Sequence, residues 1–186
     1  MGLPPGDTKE APLRLVISVL TAAGTPYALI GGVAVQLHSQ EPRTTLDIDL
    51  AVTQFADVPR EALTDAGFEH EGRYEHSDNW RAPGSGARAE RTAVQFSAED
   101  VGMGDAVARA RPVDVGGLQL RLATVEDLLV LKLAAAEEPR RRPSKRRSDL
   151  LDVITLSEEH PHAAAATPNL KERVARLAST LMAIET

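Results

Sequence analysis

Two carboxylates stand inside one apolar run, Leu46-Asp47-Ile48-Asp49-Leu50-Ala51-Val52, and no other stretch limits the fold as much. Aspartate is a poor strand former, so two of them in a run that otherwise reads as a strand call for a reason. Alternation along a strand sends Leu46, Ile48 and Leu50 to one face and Asp47 and Asp49 together to the other. Like charges held side by side repel, and one is pushed toward protonation unless a cation joins them. A hard divalent ion resolves the conflict, since Mg²⁺ is commonly held by one or two carboxylates together with substrate phosphate oxygens. The strand asks for a metal ion and a phosphate. The plain alternative is a half-exposed strand whose polar face merely carries acids, and it weakens once the preceding segment is read.

That segment is an apolar strand, Tyr27-Ala-Leu-Ile30, then Gly31-Gly32, then a helix-length stretch from Val33 to Ser39. Two glycines at a strand-to-helix turn let backbone approach a ligand closely, and the free N–H groups that open a helix favour an anion. Both halves of a metal-phosphate site are therefore encoded within 26 residues, 27–52.

Gly31-Gly32, Arg43-Thr44-Thr45 and Asp47-x-Asp49 together resemble the opening motif of the nucleotidyltransferase superfamily, in the small bacterial branch that includes AbiEii-type toxins and minimal nucleotidyltransferases. The spacing from the glycines to the acids carries the match. Leu131-Lys132-Leu133-Ala134 followed by Lys145-x-x-x-Asp149-x-x-Asp152 resembles the later motifs of the same branch, so the likeness runs from Tyr27 to about Leu156. It implies an α/β nucleotidyltransferase fold, a small mixed sheet flanked by helices with a helical C-terminal portion. It implies transfer of a nucleoside monophosphate from an NTP with Mg²⁺ or Mn²⁺, to an RNA such as a tRNA end or to a protein, and in toxin relatives an antitoxin. On this likeness Asp47 and Asp49 hold the metal, while Gly31, Gly32, Arg43, Thr44 and Thr45 serve the triphosphate. Lys132 approaches the same phosphates, and Asp149 holds Lys132 or aligns the site.

The sequence departs from the family pattern twice. The third acidic position falls on the strand Ala93-Val94-Gln95-Phe96, where Gln95 is an amide that can neither act as a base nor lend charge to a second metal. Where many relatives have Gly-Ser, this chain has Gly31-Gly32, which leaves binding by backbone N–H groups intact. The first departure keeps a rival reading open, a nucleotide-binding or partner-binding module of the same fold that has lost turnover.

The rest of the chain predicts one domain over 1–186, with an α/β core at 10–123 and helices at 124–186. Helical spacing of Leu13, Val16, Ile17 and Leu20 ends at Gly24, and Pro59 to Ala66 suits another helix, closed by Gly67. Glu71 to Glu90 reads as an irregular loop that either contacts substrate or, the plainer reading, lies solvated with Tyr74 and Trp80 against the body. Thr92 to Ser97 is a strand, Ala106 to Ala110 a short helix, and Val113 to Leu122 a hairpin about Gly116-Gly117. Thr124 caps a nearly all-apolar helix, in which Lys132 reads equally as a snorkelling side chain or a functional one. The basic run Arg140 to Arg147 suits a solvated connection better than a phosphate backbone, and Lys145 and Asp149 are spaced for an ion pair along the next helix, Ser148 to Glu158. His160 to Ala166 reads as a linker before a last helix, Pro168 to Ile184, capped by Thr167.

A net charge of −6 supplies no global basic field for nucleic acid, and the absence of cysteine excludes thiolate metal sites and a Cys nucleophile. The five histidines lack metal-ligand spacing on any one element. No run approaches transmembrane length, and residues 1–6 have neither a charged nor an apolar leader segment, so a cytoplasmic protein without membrane partners is expected.

Overall fold

The protein is described by a computed structural model over residues 9–40, 45 and 47–181. The apolar stripe of Leu13, Val16, Ile17 and Leu20 buries one side of α1 (Glu10–Ala22), and Gly24, at φ +65°, turns the chain into β1 (Tyr27–Ile30). There follow α2 (Gly31–His38), β2 (Asp47–Val52), α3 (Arg60–Asp65), β3 (Glu69–Arg73), β4 (Asp78–Arg81) and β5 (Ala93–Ser97). Then come α4 (Met103–Arg109), β6 (Arg111–Val115), β7 (Leu118–Leu122), α5 (Val125–Glu137), α6 (Pro143–Glu159), α7 (Pro161–Ala166) and α8 (Leu170–Leu181).

The strands form one mixed sheet in the order β3-β4-β5-β2-β1-β7-β6. β2 lies antiparallel to β1 on one flank and parallel to β5 on the other. Pleating sorts the residues of these strands by face. Ile48, Leu50, Val94, Phe96 and Trp80 are buried on the core side, whereas Asp47, Asp49, Ala93, Gln95 and Asn79 take the other side and are only half-buried. The two acids therefore share a face, as alternation requires. Past the β6–β7 hairpin the chain is helical; the Thr124 hydroxyl accepts the Asp127 N–H at 3.2 Å to start α5, and the Asp127 carboxylate in turn binds Arg109 at the end of α4.

Three stretches differ from expectation, the first for a tertiary reason and the other two because a proline opens a helix. Residues 71–90 contain sheet, because β3 and β4 pair as an antiparallel hairpin docked on β5. Charged side chains pair across the hairpin and its flank, Arg91 with Glu69 at 2.7 and 2.9 Å and Arg81 with Glu71 at 2.9 Å. Trp80 is fully buried as expected, but Tyr74 is 61% exposed. The basic run is not all connection, since α6 starts at Pro143, and residues 161–166 form α7 with Pro161 in its first turn. Thr167 ends α7, its hydroxyl donating to the Ala163 carbonyl at 3.0 Å, so it does not cap α8. Ile184 lies outside the described residues. Among the described residues no helix is long and apolar enough to cross a membrane.

If the hairpin is integral to the sheet, Trp80→Ala removes a fully buried indole from beneath it and costs about 3–5 kcal/mol. Urea unfolding measures this as a lowered midpoint at unchanged slope, and a loss under about 1 kcal/mol would show that the hairpin is not docked.

Candidate active site

The site begins with the way β1 ends. Gly31, at φ +67°, occupies a backbone region that side-chain-bearing residues rarely adopt, and this bend brings the start of α2 across the β2 acids. The fit is close enough to exclude any side chain. A Cβ on Gly31 would overlap the Asp49 carboxylate and lie 2.6 Å from the Asp49 Cβ, and one on Gly32 would lie 2.7 Å from Thr45 Oγ1. The Gly32 N–H donates to the Asp49 carboxylate. The glycine turn, Thr45 and the acid strand thus meet in one spot. Arg43 and Thr44 lie outside the described residues.

Asp49 is the electrostatic centre of this spot. Burial raises its pKa above the ordinary carboxylate value; Lys132, the Gly32 N–H and Arg141 pull it down, and Asp47 pushes it up. Lys132 projects from α5 to place its Nζ 2.8 Å from Asp149 Oδ1 and 2.8 Å from Asp152 Oδ2, both on α6. All three side chains are nearly buried, with exposures of 12%, 4% and 6%. Lys132 is therefore not a snorkelling surface residue. It is held by two carboxylates within electrostatic reach of Asp49.

Asp149 holds Lys132, one of the two roles the resemblance implied. Its other oxygen takes the Arg141 Nε–H at 2.9 Å, so its carboxylate faces Lys132 and Arg141 and the expected Lys145 pair is not made. Asp152, given no role by the resemblance, is an equal partner of Lys132. The signal was present, because residues three apart on a helix share a face. Arg141 had no local signature beyond belonging to a basic run; only the loop between α5 and α6 aims it at the site.

The third acidic position is where the strand pattern put it. Gln95 pairs in register with Asp49, Ala93 with Asp47, and Glu99 and Asp100 are exposed beyond the far end of β5. The donor set available to a cation is then Asp47 and Asp49, and among the described residues no group of three or more Asp, Glu or His side chains gathers as a ready cage. This suits Mg²⁺ or Mn²⁺ completing its shell with water and phosphate oxygens, and it does not suit a structural Zn²⁺ site. His38 and His160 bond backbone carbonyls instead, Ala123 O and His38 O at 2.8 Å each, and pin the end of α2.

A family profile described as nucleotidyl transferase AbiEii toxin, type IV TA system, matches residues 15–180. No curated protein matches the sequence significantly. Among solved structures, an antigenic nucleotidyltransferase-like protein from Paracoccidioides brasiliensis superposes with a TM-score of 0.63 at 19% identity, over 94% of this chain and 89% of that one. ANT(2")-Ia in complex with adenylyl-2"-tobramycin gives 0.59 at 13%, over 93% and 98%. The lincosamide antibiotic adenylyltransferase LnuA, lincomycin-bound, gives 0.54 at 14%, over 81% and 97%. At these identities the superpositions speak to the fold, and the sheet flanked by helices is that of nucleotidyltransferases.

The raised pKa of Asp49 has a measurable consequence in metal-free protein. The folded chain keeps the Asp49 proton above the pH at which the unfolded chain releases it, so stability falls as pH rises from the ordinary value of 3.8 through the raised folded value. Asp49→Asn abolishes that loss. Without divalent ions at neutral pH the variant melts higher than the wild type, by about 2–4 °C for each kcal/mol relieved, and the gap closes as pH approaches the ordinary carboxylate range. A variant that melts lower at neutral pH would show that Asp49 is not held at electrostatic expense.

Proposed function

Because the chain belongs to the AbiEii nucleotidyltransferase toxin family, we propose that it transfers a nucleoside monophosphate from an NTP to an acceptor hydroxyl and releases pyrophosphate. The observation that carries this reading is the contact of the Gly31-Gly32 turn with Asp49, with Lys132 in electrostatic range of the same carboxylate. It supports the reading because a helix start, two acids and a cation meet in one place.

In this reading the β- and γ-phosphates lie against the backbone N–H groups opening α2, where a helix start favours anions. Asp47 and Asp49 hold Mg²⁺ or Mn²⁺, which when bound offsets charge on the phosphate oxygens. Lys132 does the same from the α5 side, and Asp149 and Asp152 keep its stem from wandering. The acceptor oxygen attacks the α-phosphorus, the bond from that phosphorus to the bridging oxygen of the β-phosphate breaks, and the acceptor proton leaves to solvent. Positioning and electrostatics supply most of the rate in such transfers. The acceptor is an RNA, such as a tRNA end, or a protein hydroxyl, and the physiological role is that of a toxin checked by an antitoxin.

One observation favours a second reading. Gln95 stands beside Asp49 where a third carboxylate would serve a second metal, so a module that binds NTP without turning it over fits the same geometry. Incubation with α-labelled NTPs, Mg²⁺ or Mn²⁺, and total RNA or cell lysate separates the two. Transfer that Asp49→Asn lowers by about 10²–10³ supports the enzyme; metal-dependent NTP binding with no transfer to any fraction supports the module. Gly31→Ala should lose both binding and transfer, since its Cβ displaces the Asp49 carboxylate. If that variant binds NTP normally, the glycine turn is not the phosphate site. Growth arrest on expression of the chain alone tests the toxin role, and unimpeded growth counts against it.

A further inference from the structure

Asp49 belongs to a row that continues across the sheet. Ile30 on β1, Asp49 on β2, Gln95 on β5, Asn79 on β4 and Gly72 on β3 are neighbours in register. Laterally paired residues share a face, so the Gln95 and Asn79 amides extend from Asp49 on the side of the sheet that carries the acids. Asn79 Oδ1 is buried and has no hydrogen-bond partner among the described residues. At Gly72 no side chain closes the row, and the Tyr74 ring lies over it, 3.6 Å from where a Cβ would stand, while remaining 61% exposed. A carbonyl without a donor and an aromatic face open to solvent thus sit in line with the catalytic acids.

In-line displacement says which part of the reaction this row faces. The glycine turn follows Ile30 directly and so lies on the β1 flank of Asp49, and the departing pyrophosphate goes with it. Attacking atom, phosphorus and leaving oxygen are roughly collinear, so the acceptor approaches from the opposite flank, over β5 and β4.

Resting on the reading of nucleotidyl transfer given above, we propose that Gln95, Asn79 and Tyr74 form the acceptor seat, and that the Gln95 amide takes the place of a second cation. Gln95 hydrogen-bonds the attacking hydroxyl, Asn79 Oδ1 takes a donor from the acceptor, and the Tyr74 ring stacks on a flat or sugar ring of the same molecule. With strands about 4.8 Å apart, the row from Asp49 to Gly72 spans about 14 Å. The seat therefore accommodates a ring-bearing acceptor with a neutral, hydrogen-bonding edge.

Two measurements on the full chain test this. The first counts Mn²⁺ bound with a non-hydrolysable NTP analogue by electron paramagnetic resonance. One Mn²⁺ per chain is expected in the wild type and two in Gln95→Asp, where the added carboxylate completes a second site. Two in the wild type would overturn the seat while leaving nucleotidyl transfer standing, and failure to bind the analogue at all would overturn both. The second uses Asn79→Ala and Tyr74→Ala with α-labelled NTP and total RNA as the probe. Transfer at low RNA is expected to fall about tenfold and to recover at high RNA, with NTP affinity unchanged. Unaltered transfer, or a parallel loss of NTP affinity, would overturn the assignment.

Discussion

The site depends on holding a carboxylate where a carboxylate is poorly tolerated. Asp49 is half-buried beside Asp47, and both the loss of water and the neighbouring charge disfavour its ionised form. What makes the arrangement sustainable is a glycine turn that brings an N–H group within hydrogen-bonding distance and leaves no room for a side chain. Strain of this kind is characteristic of sites that gain from binding a ligand. A divalent ion would convert the repulsion between the two acids into coordination, so the geometry that burdens the free protein is the one the proposed metal-phosphate site uses.

Helices α5 and α6 complete the electrostatics from above the sheet. A buried lysine without partners would tend to lose its proton or reach for water. Lys132 is not alone, since Asp149 and Asp152 share it, and Arg141 pairs with the other oxygen of Asp149. The four groups form a nearly neutral cluster across the helix pair. Breaking one member leaves the others uncompensated in a poorly solvated place, so the cluster sets the position of Lys132 relative to Asp49.

Much of this was legible because it is local. The acids, the glycines, β1, the β6–β7 hairpin and the Thr124 cap each follow from a few adjacent residues. Gln95 was readable too, since a five-residue strand with strict alternation allows one register of its polar position. The β3–β4 hairpin was not, because Glu69-His70-Glu71-Gly72-Arg73 carries no apolar alternation. Its pairing relies on Arg91, Arg81 and the docking of Trp80, none of which is local. The pairing of Arg141 with Asp149 escaped for the same reason. The α7 helix was a misreading of a signal that was present, because proline after His160 can begin a helix as readily as interrupt one.

The central claim is that the two acids and the glycine turn together hold a cation against a triphosphate. Crystals grown with Mn²⁺ and a non-hydrolysable NTP analogue, measured for the anomalous scattering of manganese, test it most directly. The account predicts a manganese peak within about 2.2 Å of oxygens from both Asp47 and Asp49, with the phosphate chain against the Gly31 and Gly32 backbone. A triphosphate bound elsewhere, with the two carboxylates turned from the metal, would contradict it.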